Sequence, residues 1–276
     1  MTTFFDSIGK AINNWIRITI EFFRLCFETV YWIFYAPVSG ILKKFNVPIK
    51  RKPLNVPSVF HQMVFMGMDS VLIVFFVCFF TGVVLAMQAA PQLRDMGAVF
   101  YVAGLVSVSI CRELGPVLVA LVIAGRIGSA ITAEIGSMKV NEQIEALETM
   151  AISPIRYLAV PKFLSLFFML PCLTIIGDMA GIFGGYFIGT TTLRINHGLY
   201  IQTAARFLDL KDIYTGLSKA FVFACIIAMV GVYQGMKTEG GAVGVGRATT
   251  VSVVTSFVLI IIADCILTGI YFFSDY

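Results

Sequence analysis

Charge is what this sequence has least of. Asp, Glu, Lys and Arg together make up 13% of its 276 residues, about half of what a water-soluble domain carries, and the mean hydropathy is +0.89. A water-soluble fold is excluded on that ground, and an integral membrane protein is implied. The net charge of +4 is small and scattered, which excludes nucleic acid as a partner. Histidine is scarcer still. His61 and His197 are the only two and are expected on opposite sides of a membrane, so no histidine-based metal cluster or triad can form within one chain. The six cysteines (Cys26, Cys78, Cys111, Cys172, Cys225, Cys265) are dispersed and form no C-x-x-C pair. They read as small apolar packing residues, not redox or metal groups. The sequence has no G-x-S-x-G elbow and no H-E-x-x-H helix. It also lacks a cleavable signal, because Lys10, Arg17, Glu21, Arg24 and Glu28 interrupt its first apolar stretch.

One stretch is tested as a phosphate cradle, KTEGGAVGVGRATT at 237–250. Gly241 and Gly246 have the required separation, but Arg247 and Ala248 stand where Lys and Ser/Thr are needed, and no strand precedes them. Nucleotide binding is rejected. Gly240, Gly241, Gly246 and Arg247 are read as a tight cytoplasmic loop, with backbone approach that only glycine permits. No catalytic residue, metal site or cofactor is assigned to this chain.

What the sequence does have is apolar length. The fold class is an all-α membrane protein, with residues 1–57 forming an interfacial amphipathic helix and a basic linker, and residues 58–276 forming a membrane domain. In the first region Asp6, Lys10, Asn13, Arg17, Glu21, Arg24 and Glu28 follow one helical face, which suits a helix lying in the membrane interface or packed against the body. Lys43, Lys44, Lys50, Arg51 and Lys52 follow, and place this end in the cytoplasm. Five spans are predicted at about 66–88, 99–127, 158–190, 213–236 and 251–273, each long enough for a hydrocarbon core of about 30 Å. Five crossings put the N-terminus in the cytoplasm and the C-terminus outside. Residues 191–212 then form a polar outer segment.

Between the second and third spans the composition changes. Residues 133–150 read as a separate amphipathic helix, with Glu134, Glu142, Glu145 and Glu148 on one side against the single Lys139. Ile135, Met138, Ile144, Leu147 and Met150 form its apolar side, and Pro154 ends it. Such a helix cannot bury its apolar stripe in lipid without submerging its charges, so a protein partner is expected to cover it. In the third span Gly177, Gly181, Gly185 and Gly189 recur four residues apart, a groove for close helix packing within one subunit, for a dimer contact or for a lipid-lining wall. Ionisable groups inside spans are costly and face a cavity, the bundle interior or one another. The candidates are Arg112, Glu113, Asp178 and Asp264, with the two aspartates as acids available to Arg112. They suit either a buried salt bridge or contact with a polar part of a substrate.

Residues 112–162, RELGPVLVALVIAGRIGSAITAEIGSMKVNEQIEALETMAISPIRYLAVPK, resemble the signature region of MlaE-type permeases. These are membrane subunits of ABC transporters that work with MCE-domain proteins in lipid trafficking. A second block, GGAVGVGRATTVSVVTSFVLIIIADCILT at 240–268, is similar to that family's last cytoplasmic loop and span, and the likeness runs from about residue 60 to the C-terminus. Val243 stands where relatives often carry an acid. The resemblance implies a homodimer of permeases in the bacterial inner membrane, a separate cytoplasmic ABC ATPase that holds ATP and Mg, and a periplasmic MCE-domain protein. Phospholipid or a related lipid would be carried between them for outer-membrane lipid homeostasis. It implies that 133–150 is a coupling helix, with Glu134, Met138, Lys139, Glu142, Gln143 and Glu145 transmitting motion from the ATPase. An ion-coupled secondary transporter and an intramembrane enzyme pairing Asp178 with Asp264 are the rival expectations.

Overall fold

The computed structural model describes residues 17–18, 20–32 and 56–274. Among the described residues every regular element is a helix. Eight helices are named here in chain order: α1 (20–32), α2 (Pro57–Asp95), α3 (Val99–Val140), α4 (Gln143–Thr149), α5 (Ile155–Thr191), α6 (His197–Phe207), α7 (Leu210–Met236) and α8 (Gly241–Phe273). Helices α2, α3, α5, α7 and α8 are long and apolar enough to cross a membrane, and each predicted span falls inside one of them.

The predicted N-terminal helix lies only partly within the described residues, and the basic linker lies outside them. In α1, Arg24 pairs with Glu28 at 3.2 Å on the open side. Leu25 and Phe22 pack on the core, while Phe23 and Phe27 are exposed.

Several boundaries differ from the sequence expectation for physical reasons. The second span is expected to end near Ile127, but its helix does not end there. Helix α3 runs on to Val140, because Arg126 is satisfied where it stands, donating to the Ser70 hydroxyl and lying 3.8 Å from Asp69. The expected loop at 237–250 is mostly helix. Only Lys237–Gly240 turn, with Gly240 at φ +89° and Gly241 at φ +68° reversing the chain. The outer segment 191–212 contains α6, whose first turn is capped by the Asn196 side chain accepting from the Gly198 N–H at 2.9 Å. Tyr200 on α6 is fully covered, and burial pushes its phenol up to about 12.

Helix α7 is the axis of the bundle and packs against α3, α5 and α8. Helices α3 and α7 run side by side in the same direction, but α3 has two widened π turns, at Ile110–Leu114 and Ala124–Gly128. Pro116 follows the first and removes a backbone donor there. Contact between the two backbones is made at the Cys111 carbonyl, which a side chain on Gly216 would overlap, and again at the Gly128 carbonyl beside Gly231. Between these points α3 uses seventeen residues and α7 fifteen, one insertion per widened turn. Arg112 and Glu113 lie in the first of these widened turns.

Helices α2 and α5 make the closest helix pair. A side chain on Gly82 of α2 would overlap the Gly181 carbonyl of α5, and one on Gly184 would overlap the Phe79 carbonyl. The small-residue stripe is therefore used within the subunit: Gly177 faces Cys78 and Val119, while Gly185 and Gly189 face Tyr200.

Candidate functional site

Two constellations stand out, one at each half of α3. The first is a charge cluster around Lys219 of α7, which is 1% exposed. Its ammonium donates to Glu113 Oε2 of α3 and, at 2.7 Å, to the Thr268 hydroxyl of α8. Asp264 Oδ1 lies 2.9 Å away, an ionic contact off the line of a directed hydrogen bond. Thr268 in turn donates to Glu113 Oε1 at 2.7 Å. Nearby, Arg112 faces Asp212, the second residue beyond Leu210 at the start of α7, at 3.8 Å. A buried lysine facing two carboxylates joins three helices at one point, and removal of the lysine would leave two carboxylates without a cation.

The pairing expected from sequence is thus corrected. Arg112 has Asp212 of α7 at 3.8 Å, while Asp264 of α8 lies against Lys219. Asp178 of α5 belongs elsewhere. It is 8% exposed and its Oδ1, without a hydrogen-bond partner among the described residues, lies over Gly115 of α3. Asp178 and Asp264 face different surroundings, so the geometry supplies no paired-acid centre. Among the described residues no three His, Cys, Asp or Glu side chains are grouped to hold a metal ion. Lys219 and Asp212 were missed in the sequence, although the rule that singled out Arg112 applies equally to a lysine inside an apolar run.

The second constellation is an elbow at the other end of α3. The predicted single helix over 133–150 is broken. Ser129–Val140 closes α3, Asn141 and Glu142 turn, and α4 follows. Glu142 adopts φ +57° and is followed by helix at once, and Ala151, also at φ +57°, ends α4. An ion pair between Lys139 and Glu145 staples the two arms. The hydrogen bond from Lys139 holds the Glu145 carboxyl below the usual carboxylate range.

The apolar stripe has a different destination from the one expected. Ile135 is 0% exposed and packs on Gly235 of α7, Ile144 is buried, and Met138 and Leu147 pack on the same core. Apart from Met150 the chain covers its own stripe, so the elbow is seated on the bundle. What it leaves open is polar with a small apolar edge: Glu142, Gln143 and Glu148 are exposed, as are Met150 and Ile152. Glu134 faces inward to Lys162 of α5, a side chain 2% exposed, at 2.5 Å.

At the loop between α7 and α8, Gln234, Lys237, Thr238, Arg247 and Val251 line an open cavity of about 340 Å³. Gly246 and Arg247 lie on the exposed side of the first turns of α8.

A five-span helical bundle tied by a buried ion cluster and carrying a seated acidic elbow defines a multi-pass membrane protein. The chain belongs to the MlaE permease family, whose model, described as Permease MlaE, matches residues 59–270. It is similar to a probable ABC transporter permease protein of Rickettsia typhi, 41% identical over 242 residues that cover 86% of this chain and 93% of the relative. A probable ABC transporter permease protein of Synechocystis is 40% identical over 79% of this chain and 83% of its own length. The intermembrane phospholipid transport system permease protein MlaE of Haemophilus influenzae is 33% identical over 99% of this chain and 98% of its own length.

Proposed function

We propose that this chain is the non-catalytic permease subunit of an ABC transporter that moves phospholipid or a related lipid between the bacterial inner membrane and a periplasmic MCE-domain carrier, serving outer-membrane lipid homeostasis. The observation that carries the reading is the elbow, an acidic docking tip that is stapled, seated on α7 and offers no nucleotide site of its own. Its partner is a cytoplasmic ABC ATPase, which holds ATP and Mg. Glu142, Gln143 and Glu145 form the contact, Met138 and Lys139 fix its base, and Glu134 passes motion on to the bundle. The unit is a homodimer, with the N-terminus cytoplasmic and the C-terminus periplasmic. Arg112, Glu113 and Asp264 line the lipid path where a polar headgroup meets the bundle, Asp178 supports it from α5, and the α7–α8 loop with Gly240, Gly241, Gly246 and Arg247 faces the ATPase.

A second reading, an ion-coupled transporter of a hydrophobic substrate, draws on the two carboxylates around Lys219. One experiment separates the two. The chain is reconstituted with its ATPase and carrier in liposomes, and transfer of a fluorescent phospholipid is followed with and without ATP. The transporter reading predicts transfer that requires ATP. Transfer driven by an ion gradient in the absence of ATP would overturn it.

A further inference from the structure

The bundle divides by how its helices are joined. Helices α2 and α5 are joined by backbone approach at Gly82, Gly181 and Gly184. Helices α3, α7 and α8 are joined by polar bonds: the Lys219 cluster at one end, and Thr132, which contacts the Gly231 carbonyl at 3.1 Å and the Ser252 hydroxyl at 2.8 Å, at the other. The elbow belongs to the second group, seated through Ile135 on Gly235 and through Gly136 on Thr238. A load applied to the elbow therefore moves α3, α7 and α8 together; α5 packs on α3 and α7, and a charged link from the elbow itself would pass the load to it directly.

Lys162 supplies one close to the docking tip. It lies near the start of α5, just after the widened turn Ile155–Ala159. Its side chain is 98% covered, and among the described residues its one ion-pair partner is Glu134 Oε2 at 2.5 Å. Glu134 is itself half exposed, at 49%, on the elbow. A buried ammonium is strongly held to its counter-charge, because the alternative is an unpaired cation in a poor solvent. A carboxylate on the elbow thus governs the position of a lysine that cannot leave α5. The carboxylate stands half exposed on the elbow and the lysine is buried on α5.

We infer that Glu134 and Lys162 are positioning residues that transmit elbow movement to α5, and through α5 to α2. This rests on the transport reading above, and it is a claim about coupling, not docking. It predicts that breaking the pair separates ATP hydrolysis from lipid movement while leaving the ATPase bound.

The test uses the whole reconstituted complex and reads three quantities in parallel: ATPase co-purification, ATP turnover, and phospholipid transferred per ATP. Glu134→Gln, which keeps the side chain's size and an acceptor oxygen for Lys162 while removing the charge, is expected to leave co-purification intact and lower lipid per ATP about tenfold, within the usual range of coupling between sites. The exchange Glu134→Lys with Lys162→Glu restores the pair in reverse and is expected to recover most of the ratio. An unchanged ratio in Glu134→Gln overturns the inference. So does an exchange variant that folds and binds the ATPase but stays as low as the single variant. Absence of ATP-dependent transfer by the wild-type complex would instead defeat the transport reading.

Discussion

Helices α7 and α8 follow one another in the chain, pack together and are each long and apolar enough to cross a membrane. Yet α7 is the buried axis and α8 is a wall. Along α7, Ala220, Ala224, Ala228, Gly231 and Gly235 keep the surface low enough for three neighbours to reach it, and Lys219 ties two of them. Along α8, Ser252, Ser256 and Ile260 make one narrow buried stripe, while Val254, Val258, Ile261, Ile262 and Ile266 are exposed. The exposed face is suited to hydrocarbon. Total apolarity does not separate a central helix from a lipid-facing one, because lipid is as apolar as the core. The placement of small and polar residues does.

The comparison can be broken at its strongest point by removing the charge on α7. Lys219→Met leaves Glu113 and Asp264 facing each other without a cation, and should cost about 3 kcal/mol or more. It should appear as a large fall in the unfolding temperature of the detergent-solubilised protein. Ile262→Ala on the exposed face of α8 should cost under about 1 kcal/mol in the same assay. Equal losses would mean that the two helices are not differently placed. A smaller contrast comes from glycine. Gly216→Ala on α7 drives a methyl group into the Cys111 carbonyl, which cannot swing aside, and should destabilise by about 1–3 kcal/mol. Gly269→Ala on α8 meets open space and should be neutral or stabilising by up to about 1 kcal/mol. The sign of the difference is read from the same melting curves.

The membrane helices were legible because runs of apolar residues longer than a bilayer have few other uses in a chain this poor in charge. Their ends were not. Arg126 and the polar residues up to Val140 look like the exit from a membrane, yet α3 continues because Ser70 and Asp69 on α2 satisfy the guanidinium. Arg112 and Glu113 announced themselves as ionisable groups in a span, but their partners depend on helix rotation. Both lie in a widened turn that local sequence does not reveal. Lys219 escaped notice inside a long apolar run, although the same reasoning would have flagged it. The elbow's two-sided character was visible in the spacing of its residues. The destination of its apolar side was not, since Ile135 and Ile144 are covered by the same chain and a partner is left the acidic tip with Met150 and Ile152 at its edge.

The account rests on that tip being the handle through which an ATPase moves the bundle. The most direct measurement is co-purification of the ATPase with the membrane-inserted chain carrying Glu142→Lys and Glu148→Lys, two exposed positions outside the Lys139–Glu145 staple. The predicted result is loss of the ATPase with normal membrane insertion and an unchanged melting temperature. Full retention of the ATPase by that variant would contradict the account.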